Sequence, residues 1–342
     1  MSFSQRLSDL AYATGWGAVR RLPEPVAKAL FRGSADLAAR RNGPGVQQMR
    51  RNYARVVPKA GPAELDELVR AGLRSYARYW REAFRLPAMD HEAIYRQVDD
   101  VFIGKPLMDA ALERGKGLIM VLPHTGNFDV SGIWLVGHAG SFTTVNERLK
   151  PESVYQRFVE YRESLGFEIL PSAGGAYRLL MERLRANKIV CLVADRDLSK
   201  RGIPVTFFGA ETRMPPGPAR LAAATGAQIL VVDNTFTDDG WGVRAHTPLL
   251  VHGREDVGPT TQRMADAFAA DIANHPVDWH MMQKLWLADL DEDRQQALVS
   301  GPGEPRRRPG AKRPAPSTAG REAGHGPVHP ASGASRTDTE SR

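Results

Sequence analysis

The sequence lacks most of the residues and segments that would indicate disulfides, metal clusters or membrane spans. It contains one cysteine in 342 residues, Cys191, inside the apolar run IVCLVA. A lone cysteine there excludes a disulfide framework within the chain and argues against a zinc site built from cysteines. No run of about 18 apolar residues occurs, and the N-terminus lacks the apolar segment of a secretory signal. We therefore expect no transmembrane helix, so that any contact with a membrane is peripheral.

Nucleotide-binding fingerprints are also missing. Neither G-x-G-x-x-G after a strand nor G-x-x-x-x-G-K-[ST] is present. Acidic residues are too few to balance the basic ones, because 46 Lys and Arg face 39 Asp and Glu, giving a net charge of +7. Such an excess indicates an anionic partner, whether nucleic acid, a phospholipid surface or a phosphorylated co-substrate. No nucleic-acid motif accompanies the charge, so we expect no nucleic acid partner.

The composition divides the chain into a foldable part and a tail. Residues 300–342 are rich in Pro, Gly, Ser and Arg and have almost no large apolar residue, which predicts a disordered tail. Residues 1–299 are enough for a single domain, with 1–100 mainly helical and 101–299 an α/β core. In the core, short apolar runs alternate with amphipathic stretches. This alternation predicts a central, largely parallel sheet with helices on both faces.

The N-terminal region predicts two basic amphipathic helices separated by Pro23 and Pro25. The apolar faces and their basic neighbours are Phe3, Leu7 and Leu10 in the first helix, and Val26, Leu30 and Leu37 with Lys28, Arg32, Arg40 and Arg41 in the second. Helices of this kind can lie on an anionic bilayer. They can equally pack against the core with solvated arginines, and the sequence leaves both interpretations open.

One stretch places two reactive side chains together. The apolar run Leu118–Leu122 predicts a buried strand, which Pro123 ends because it has no N–H to donate. His124 follows directly, and Asn127 is a suitable N-cap for a helix whose first turn holds Asp129. Ligands of α/β sheets bind beyond the carboxyl ends of the strands. The sequence therefore predicts an imidazole and a carboxylate at a site-forming edge.

The spacing of these two residues suggests a proton-transfer pair. An aspartate five residues after a histidine, across a tight turn, can fold back and accept the Nδ1–H. That contact fixes the tautomer and leaves Nε2 free as a base for a substrate hydroxyl, so that no covalent intermediate is needed. The alternative is that His124 merely caps the strand and Asp129 is a solvated acid favoured by the helix dipole. The surrounding VLPHTGNFD favours the pair.

Polar residues also follow other predicted strands. Glu147 and Arg148 follow the predicted strand Ser141–Val145, and Asp195, Arg196 and Asp197 follow the predicted strand Lys188–Ala194. Phe207–Phe208 is predicted as a short strand, and a loop with polar residues precedes Arg213. Because the carboxyl ends of parallel strands share one edge, these groups can form a single site with His124.

Several blocks resemble one known family. His124–Asp129 resembles the H-x4-D signature of the glycerolipid and lysophospholipid acyltransferase superfamily. The blocks that resemble its bacterial lipid A late-acyltransferase branch are Asp195–Asp197 with Gly202–Gly209, Arg213–Pro218, and His275–His280 with Trp286. The resemblance extends over roughly residues 1–290 in order.

This resemblance implies an O-acyltransferase that uses acyl-CoA as co-substrate, with no other cofactor and no metal. His124 would be the base and Asp129 its orienter, while amides of the His124–Asn127 turn, or an arginine, would stabilise the oxyanion. The residues implied to bind the acceptor's sugar or phosphate are Glu147, Arg148, Arg162, Asp195, Arg196, Asp197 and Arg213. An acceptor that offers both groups is a glycolipid such as a phosphatidylinositol mannoside.

The resemblance also implies a place for the protein and leaves alternatives. It implies a peripheral enzyme on the cytoplasmic face of the cell inner membrane. His275 and His280 are interpreted as structural or pocket-lining residues and not as metal ligands. The alternative functions are an acyltransferase with a lipid A-like or lysophospholipid acceptor, and a non-catalytic protein that binds lipid surfaces.

Overall fold

The computed structural model of the chain describes residues 17, 19–146, 152–172 and 175–299. Three groups of predictions lie outside these residues: the apolar face of Phe3, Leu7 and Leu10, the pair Glu147 and Arg148, and the tail 300–342. The structure therefore neither supports nor contradicts them.

The first part of the described chain is helical, as predicted. The helices and their bounds are α1 (Glu24–Arg41), α2 (Pro44–Val56), α3 (Pro62–Arg85), α4 (His91–Val101) and α5 (Lys105–Glu113). The first three and α5 each have a proline at one of their first two positions, where its missing N–H leaves no hydrogen bond unmade. These prolines explain why one helical region is divided into several segments.

The second part is the predicted α/β core. Its elements are β1 (Leu118–Leu122), α6 (Phe128–Ala139), β2 (Phe142–Asn146), α7 (Glu152–Glu163), β3 (Phe167–Pro171), α8 (Ala176–Arg185), β4 (Ile189–Val193), β5 (Ile203–Phe207), β6 (Ala210–Met214), α9 (Gly217–Thr225), β7 (Gln228–Phe236), β8 (Trp241–Ala245), α10 (Val257–Asn274) and α11 (Glu292–Val299). Six strands form a sheet in the order β3-β2-β4-β1-β7-β8, parallel except for β8. This confirms the predicted fold class.

Strand order decides which loops meet. β1 lies in the middle of the sheet, with Leu122 opposite Val193 of β4 and Val121 opposite Val231 of β7. All five β1 residues are buried, which agrees with a strand covered on both faces. The residues that follow β1 and β4 therefore emerge side by side, although about 70 residues separate them in the chain.

The segment after β4 differs from the prediction. The sequence predicts only a short strand at Phe207–Phe208 and a loop before Arg213. Instead β5 and β6 form a separate antiparallel hairpin, and Arg213 lies within β6. Its two-residue turn, Phe208 and Gly209, has positive φ values of 48° and 73°, as a type I′ turn requires.

Helix α1 exposes three of its four large apolar side chains, the exception being Phe31. Val26, Leu30 and Leu37 are 50%, 55% and 46% exposed, whereas the small residues Ala27 and Ala35 are buried. Helix α1 does pack against α3, with Phe31 beside Phe84, so the alternative of packing against the core holds for this helix. The face of Val26, Leu30 and Leu37 is not the packed one. None of the described helices is long and apolar enough to span a bilayer.

Candidate active site

His124 is paired with Asp195, the residue that follows β4. The Nδ1 atom of His124 lies 2.6 Å from Asp195 Oδ1, and the backbone N–H of His124 donates to Asp195 Oδ2 at 3.1 Å. The indole N–H of Trp279 donates to the same Oδ2 atom, also at 3.1 Å. Asp195 is fully buried, whereas the His124 side chain is 47% exposed. The carboxylate is therefore held in place and the imidazole is accessible.

These contacts determine the protonation of the pair. Burial opposes ionisation of Asp195, but the charge of His124 and the donated hydrogen bonds outweigh it and lower the pKa of this carboxyl. Burial opposes the charged form of His124 too, but the Asp195 carboxylate outweighs it and raises the pKa of the imidazole above its ordinary value of 6.5. An ionised carboxylate only accepts hydrogen bonds, so Nδ1 carries a proton. In the neutral ring, Nε2 then has the free lone pair.

The predicted contact between Asp129 and His124 does not form. Asp129, which is 2% exposed, accepts from Arg162 Nε at 3.0 Å and from the Tyr79 hydroxyl at 3.3 Å. The physical reason is that Asp129 lies in the first turn of α6, where a buried guanidinium needs a counter-charge. The expectation that Asp129 orients His124 is thus wrong, and Asp195 occupies that position.

The three residues after His124 are each hydrogen-bonded to a different part of the fold. The Thr125 hydroxyl donates to Asp233 Oδ1 at 3.3 Å, and the Gly126 N–H donates to the backbone oxygen of Asp278 at 3.0 Å. The side-chain N–H of Asn127 donates to Glu82 Oε2 at 2.8 Å. Together with the contact between His124 and Asp195, these bonds attach the turn, residues 124–127, to β7, to α3 and to the segments after β4 and α10.

Glycine at position 126 is required by the fit of this turn. Its φ of +52° lies in the left-handed region, which disfavours side chains. A Cβ atom here would also lie 2.5 Å from the backbone oxygen of Asn234 in β7. Any larger residue would therefore push the turn, and His124 with it, away from the sheet.

Three amides of the turn are already used. The N–H of His124 donates to Asp195, that of Thr125 to the oxygen of Pro123 at 2.8 Å, and that of Gly126 to Asp278. An amide engaged in this way is not available to a substrate oxygen. The prediction that amides of this turn stabilise an oxyanion is wrong for these three.

A cavity of about 540 Å³ opens beside His124. The polar residues that line it include His124, Asp129, Arg162, Arg196 and His280. The apolar residues that line it include Met120, Leu135, Phe142, Phe167, Cys191 and Val232. The cavity therefore places the imidazole of His124 beside apolar side chains that suit a hydrocarbon chain.

His280 lines this cavity, which confirms the interpretation of this residue as pocket-lining. The Ser75 hydroxyl donates to Asp278 Oδ1 at 2.8 Å and lies 2.9 Å from His280 Nε2. Because the hydroxyl proton is used on Asp278, the ring donates its Nε2–H to Ser75. Burial, with the charge of His124, lowers the pKa of His280 to about 3, so this ring is neutral at physiological pH.

Two of the other predicted binding residues line the cavity and two do not. Arg162 lines the cavity and also donates to Asn146 Oδ1 at 2.7 Å, and Arg196 lines it with Nε bonded to the oxygen of Lys284. Asp197 accepts the N–H of Ser199, and Arg213 donates to several carbonyl groups of the same loop. Within the described chain, Asp197 and Arg213 shape this loop and do not line the cavity.

Glu82, Asp278 and Trp279 were missed as supports of the site. Asp278 and Trp279 lie inside a block quoted for its resemblance, so a signal for them was present. Glu82 is one of many charged residues on a helix, and nothing in its sequence context distinguishes it.

Comparison with known proteins gives consistent matches. The family model described as bacterial lipid A biosynthesis acyltransferase matches residues 2–288. A phosphatidylinositol mannoside acyltransferase of Mycolicibacterium smegmatis is 53% identical over 297 residues, which cover 86% of this chain and 96% of the relative. One of Mycobacterium tuberculosis strain H37Rv is 51% identical over 302 residues, covering 87% and 95% respectively.

Proposed function

The chain belongs to the bacterial lipid A biosynthesis acyltransferase family, and from this membership we propose that it moves a long-chain, palmitoyl-like acyl group from acyl-CoA to a mannose hydroxyl of a phosphatidylinositol mannoside. The observation that carries the proposal is the half-exposed imidazole of His124 on the cavity wall, held at Nδ1 by buried Asp195. The acceptor follows from the names of the two mycobacterial relatives.

The reaction needs one base and no covalent enzyme intermediate. His124 Nε2 takes the proton of the sugar hydroxyl while its oxygen attacks the thioester carbon. The C–O bond forms, the C–S bond then breaks, and the imidazolium returns its proton to the leaving thiolate. Asp195 keeps the ring oriented and stabilises the imidazolium without taking the proton itself. The tetrahedral oxygen needs donors other than the amides of residues 124–126, which are occupied.

The polar and apolar residues that line the cavity support a site that binds both a glycolipid headgroup and an acyl chain. Apolar side chains such as Phe142 and Phe167 offer the acyl chain a surface that excludes water. The polar groups near His124, including Arg196 and the neutral ring of His280, suit hydroxyl and phosphate groups of an acceptor. An acyl chain and a glycolipid headgroup therefore meet at the imidazole.

The test is an acyl-transfer assay with a panel of acceptors. Purified protein is incubated with palmitoyl-CoA and, separately, with a phosphatidylinositol mannoside, a lipid A-like glycolipid or a lysophospholipid, while free thiol and product mass are measured. We expect thiol release that depends on the mannoside and a product heavier by one palmitoyl group on mannose. Acylation of another acceptor alone would show that the acceptor is wrong, and no release with any acceptor would favour the non-catalytic alternative.

We also propose that α1 holds the enzyme on the cytoplasmic face of the inner membrane. Val26, Leu30 and Leu37 are about half exposed on this helix. The exposed basic residues of the same helix are Lys28, Arg32, Arg40 and Arg41. Each basic residue near an anionic surface contributes roughly 1 kcal/mol, and the apolar side chains can enter the headgroup region. This combination suits a peripheral helix.

Vesicle flotation tests this docking. We expect binding to anionic vesicles that weakens as salt rises, and little binding to neutral vesicles. Replacing Lys28 and Arg32 by Glu should reduce binding, whereas the same replacement at the exposed Lys116 and Arg220 is the matched control and should not. Equal binding to neutral and anionic vesicles at every salt concentration would rule out electrostatic docking.

A further inference from the structure

Glu82 of α3 is a buried carboxylate that reaches the turn carrying His124. It is 5% exposed, and its Oε2 atom accepts from Asn127 Nδ2 and from Trp241 Nε1, both at 2.8 Å. Its Oε1 atom accepts from Arg78 Nε at 2.8 Å, and Arg81 lies 3.4 Å away. Two arginines therefore balance the negative charge of Glu82 at Oε1, while Oε2 accepts hydrogen bonds from two neutral donors.

The amide of Asn127 can adopt only one orientation in these surroundings. Its Oδ1 atom accepts the N–H of Val130 at 3.2 Å and so caps the start of α6, while its Nδ2 atom donates to Glu82. A carboxylate can only accept and a backbone N–H can only donate, so a flipped amide would lose both bonds. Glu82 thus fixes the side chain that joins the turn to α6.

We propose that Glu82 is a positioning residue for acyl transfer, acting on His124 through Asn127. This inference rests on the proposed function and adds a residue from the helical N-terminal region to it. The imidazole is held by Asp195, which follows β4, and the last residue of its turn is held by Glu82 of α3. Small displacements of a base strongly reduce rate, so this second support sets how well His124 meets the acceptor hydroxyl.

Trp241 provides a matched control within the same group. Its indole donates to the same Oε2 atom at the same distance as Asn127 does, but Trp241 lies at the start of β8 and does not line the cavity within the described residues. Removing the donor of Asn127 or that of Trp241 takes one hydrogen bond from Glu82. Only the loss of the Asn127 donor releases the turn that carries His124. The two changes therefore separate positioning from general stability.

The experiment compares four variants with wild type in the palmitoyl-CoA assay. Asn127→Ser keeps an oxygen that can cap α6 but lacks the longer amide arm whose Nδ2 reaches Glu82. Glu82→Gln keeps the shape and removes the charge, and Trp241→Phe is the control. We expect kcat to fall about 10-fold or more in the first two, with similar KM values and an unchanged pH profile, because the contact between His124 and Asp195 remains. In Trp241→Phe we expect a lower melting temperature with kcat within about twofold of wild type. The double variant Glu82→Gln/Asn127→Ser should be no slower than the slower single variant.

The outcomes separate this inference from the proposed function. If wild type transfers no acyl group, the proposed function fails, and with it this inference. If wild type is active but kcat falls equally in Asn127→Ser and Trp241→Phe, or in neither, Glu82 is structural only and the inference is wrong. Should Glu82→Gln not fold, the comparison of Asn127→Ser with Trp241→Phe still decides, because both retain Glu82 and its arginines.

Discussion

Two buried aspartates lie beside the same cavity, and their partners differ in one chemical respect. Asp195 holds His124, whose ring is half exposed and whose pKa is raised by the carboxylate from an ordinary value of 6.5. Asp129 holds Arg162, whose side chain is only 12% exposed. Burial alone would lower the pKa of this guanidinium, but Asp129 raises it. The His124 imidazole can therefore take up and release a proton, whereas the Arg162 guanidinium keeps its proton.

This difference shows that geometry and not spacing assigns the roles. Asp129 is five residues from His124 in the sequence, and Asp195 is 71 residues away. The neighbouring positions of β1 and β4 bring the distant carboxylate to the imidazole, while the start of α6 directs the near one to Arg162. Four experiments test the contrast, in order of decreasing expected effect on rate.

Replacing His124 by Ala should have the largest effect. Loss of a general base lowers the rate by roughly 10²–10⁴, and the exposed position of the ring means that the fold should survive. Measurement of kcat with palmitoyl-CoA, together with circular dichroism, checks both statements. Near-normal turnover by a folded variant would exclude the proposed mechanism.

Replacing Asp195 by Asn should come next and should also change the pH dependence. In the proposed mechanism the neutral ring is the active form, so kcat/KM of wild type should rise with pH through a pKa above 6.5. Without the carboxylate, burial and the charge of Arg196 remain, and both lower the pKa of His124, so this rise should move to lower pH. The maximal rate should fall on the order of 10²-fold or more, because an amide can hold the wrong tautomer. A profile that keeps its midpoint would mean that Asp195 does not set the pKa of His124.

Replacing Asp129 by Asn should reduce stability more than it changes the chemistry. The variant leaves the Arg162 charge buried with a weaker partner, which costs about 3 kcal/mol of unfolding free energy. We expect kcat to fall less than in Asp195→Asn, with the midpoint of the pH profile unchanged. Adding Arg162→Gln should recover part of the melting temperature. A shifted midpoint would instead indicate that Asp129 acts on His124 after all.

Replacing Trp279 by Phe should have the smallest effect on rate. The indole N–H contributes to lowering the pKa of Asp195, so its loss makes the carboxylate more basic and a stronger partner for the imidazolium. We expect kcat to fall by less than about 10-fold, or 1.4 kcal/mol, and the rise in kcat/KM to move to slightly higher pH. This direction is opposite to that for Asp195→Asn, so the same titration series tests both.

Much of the fold could be predicted because the relevant signals are local. The run Leu118–Leu122 is bounded by a proline and a helix cap, and its strand appears with the predicted bounds. The parallel sheet follows from the alternation of apolar runs and amphipathic stretches. The hairpin of β5 and β6 was missed although its strands alternate buried and exposed residues, because Pro204 lies inside β5 and argues against a strand there. Its turn also contains a phenylalanine at positive φ, which is uncommon.

The site was predicted in part for the same reason. The position of His124 at a strand end is a local property, and its resemblance to a known signature reinforced it. The partner of its Nδ1 atom depends on the order of strands in the sheet, which no pattern within one strand encodes. The contact of Glu82 with Asn127 could not be predicted from a local pattern either, because it depends on how α3 packs against the start of α6.

The turn at residues 124–127 has a consequence for folding. Its contacts join residues separated in sequence by 45, 71, 108 and about 150 positions, each in a different part of the described chain. Contacts of such high sequence separation form late, because the loss of chain entropy precedes the gain from the contact. During refolding, helical circular dichroism should therefore recover before activity does. A compact intermediate that already has its sheet would still lack a fixed imidazole. Activity should appear only when Glu82, Asp195, Asp233 and Asp278 have all reached the turn.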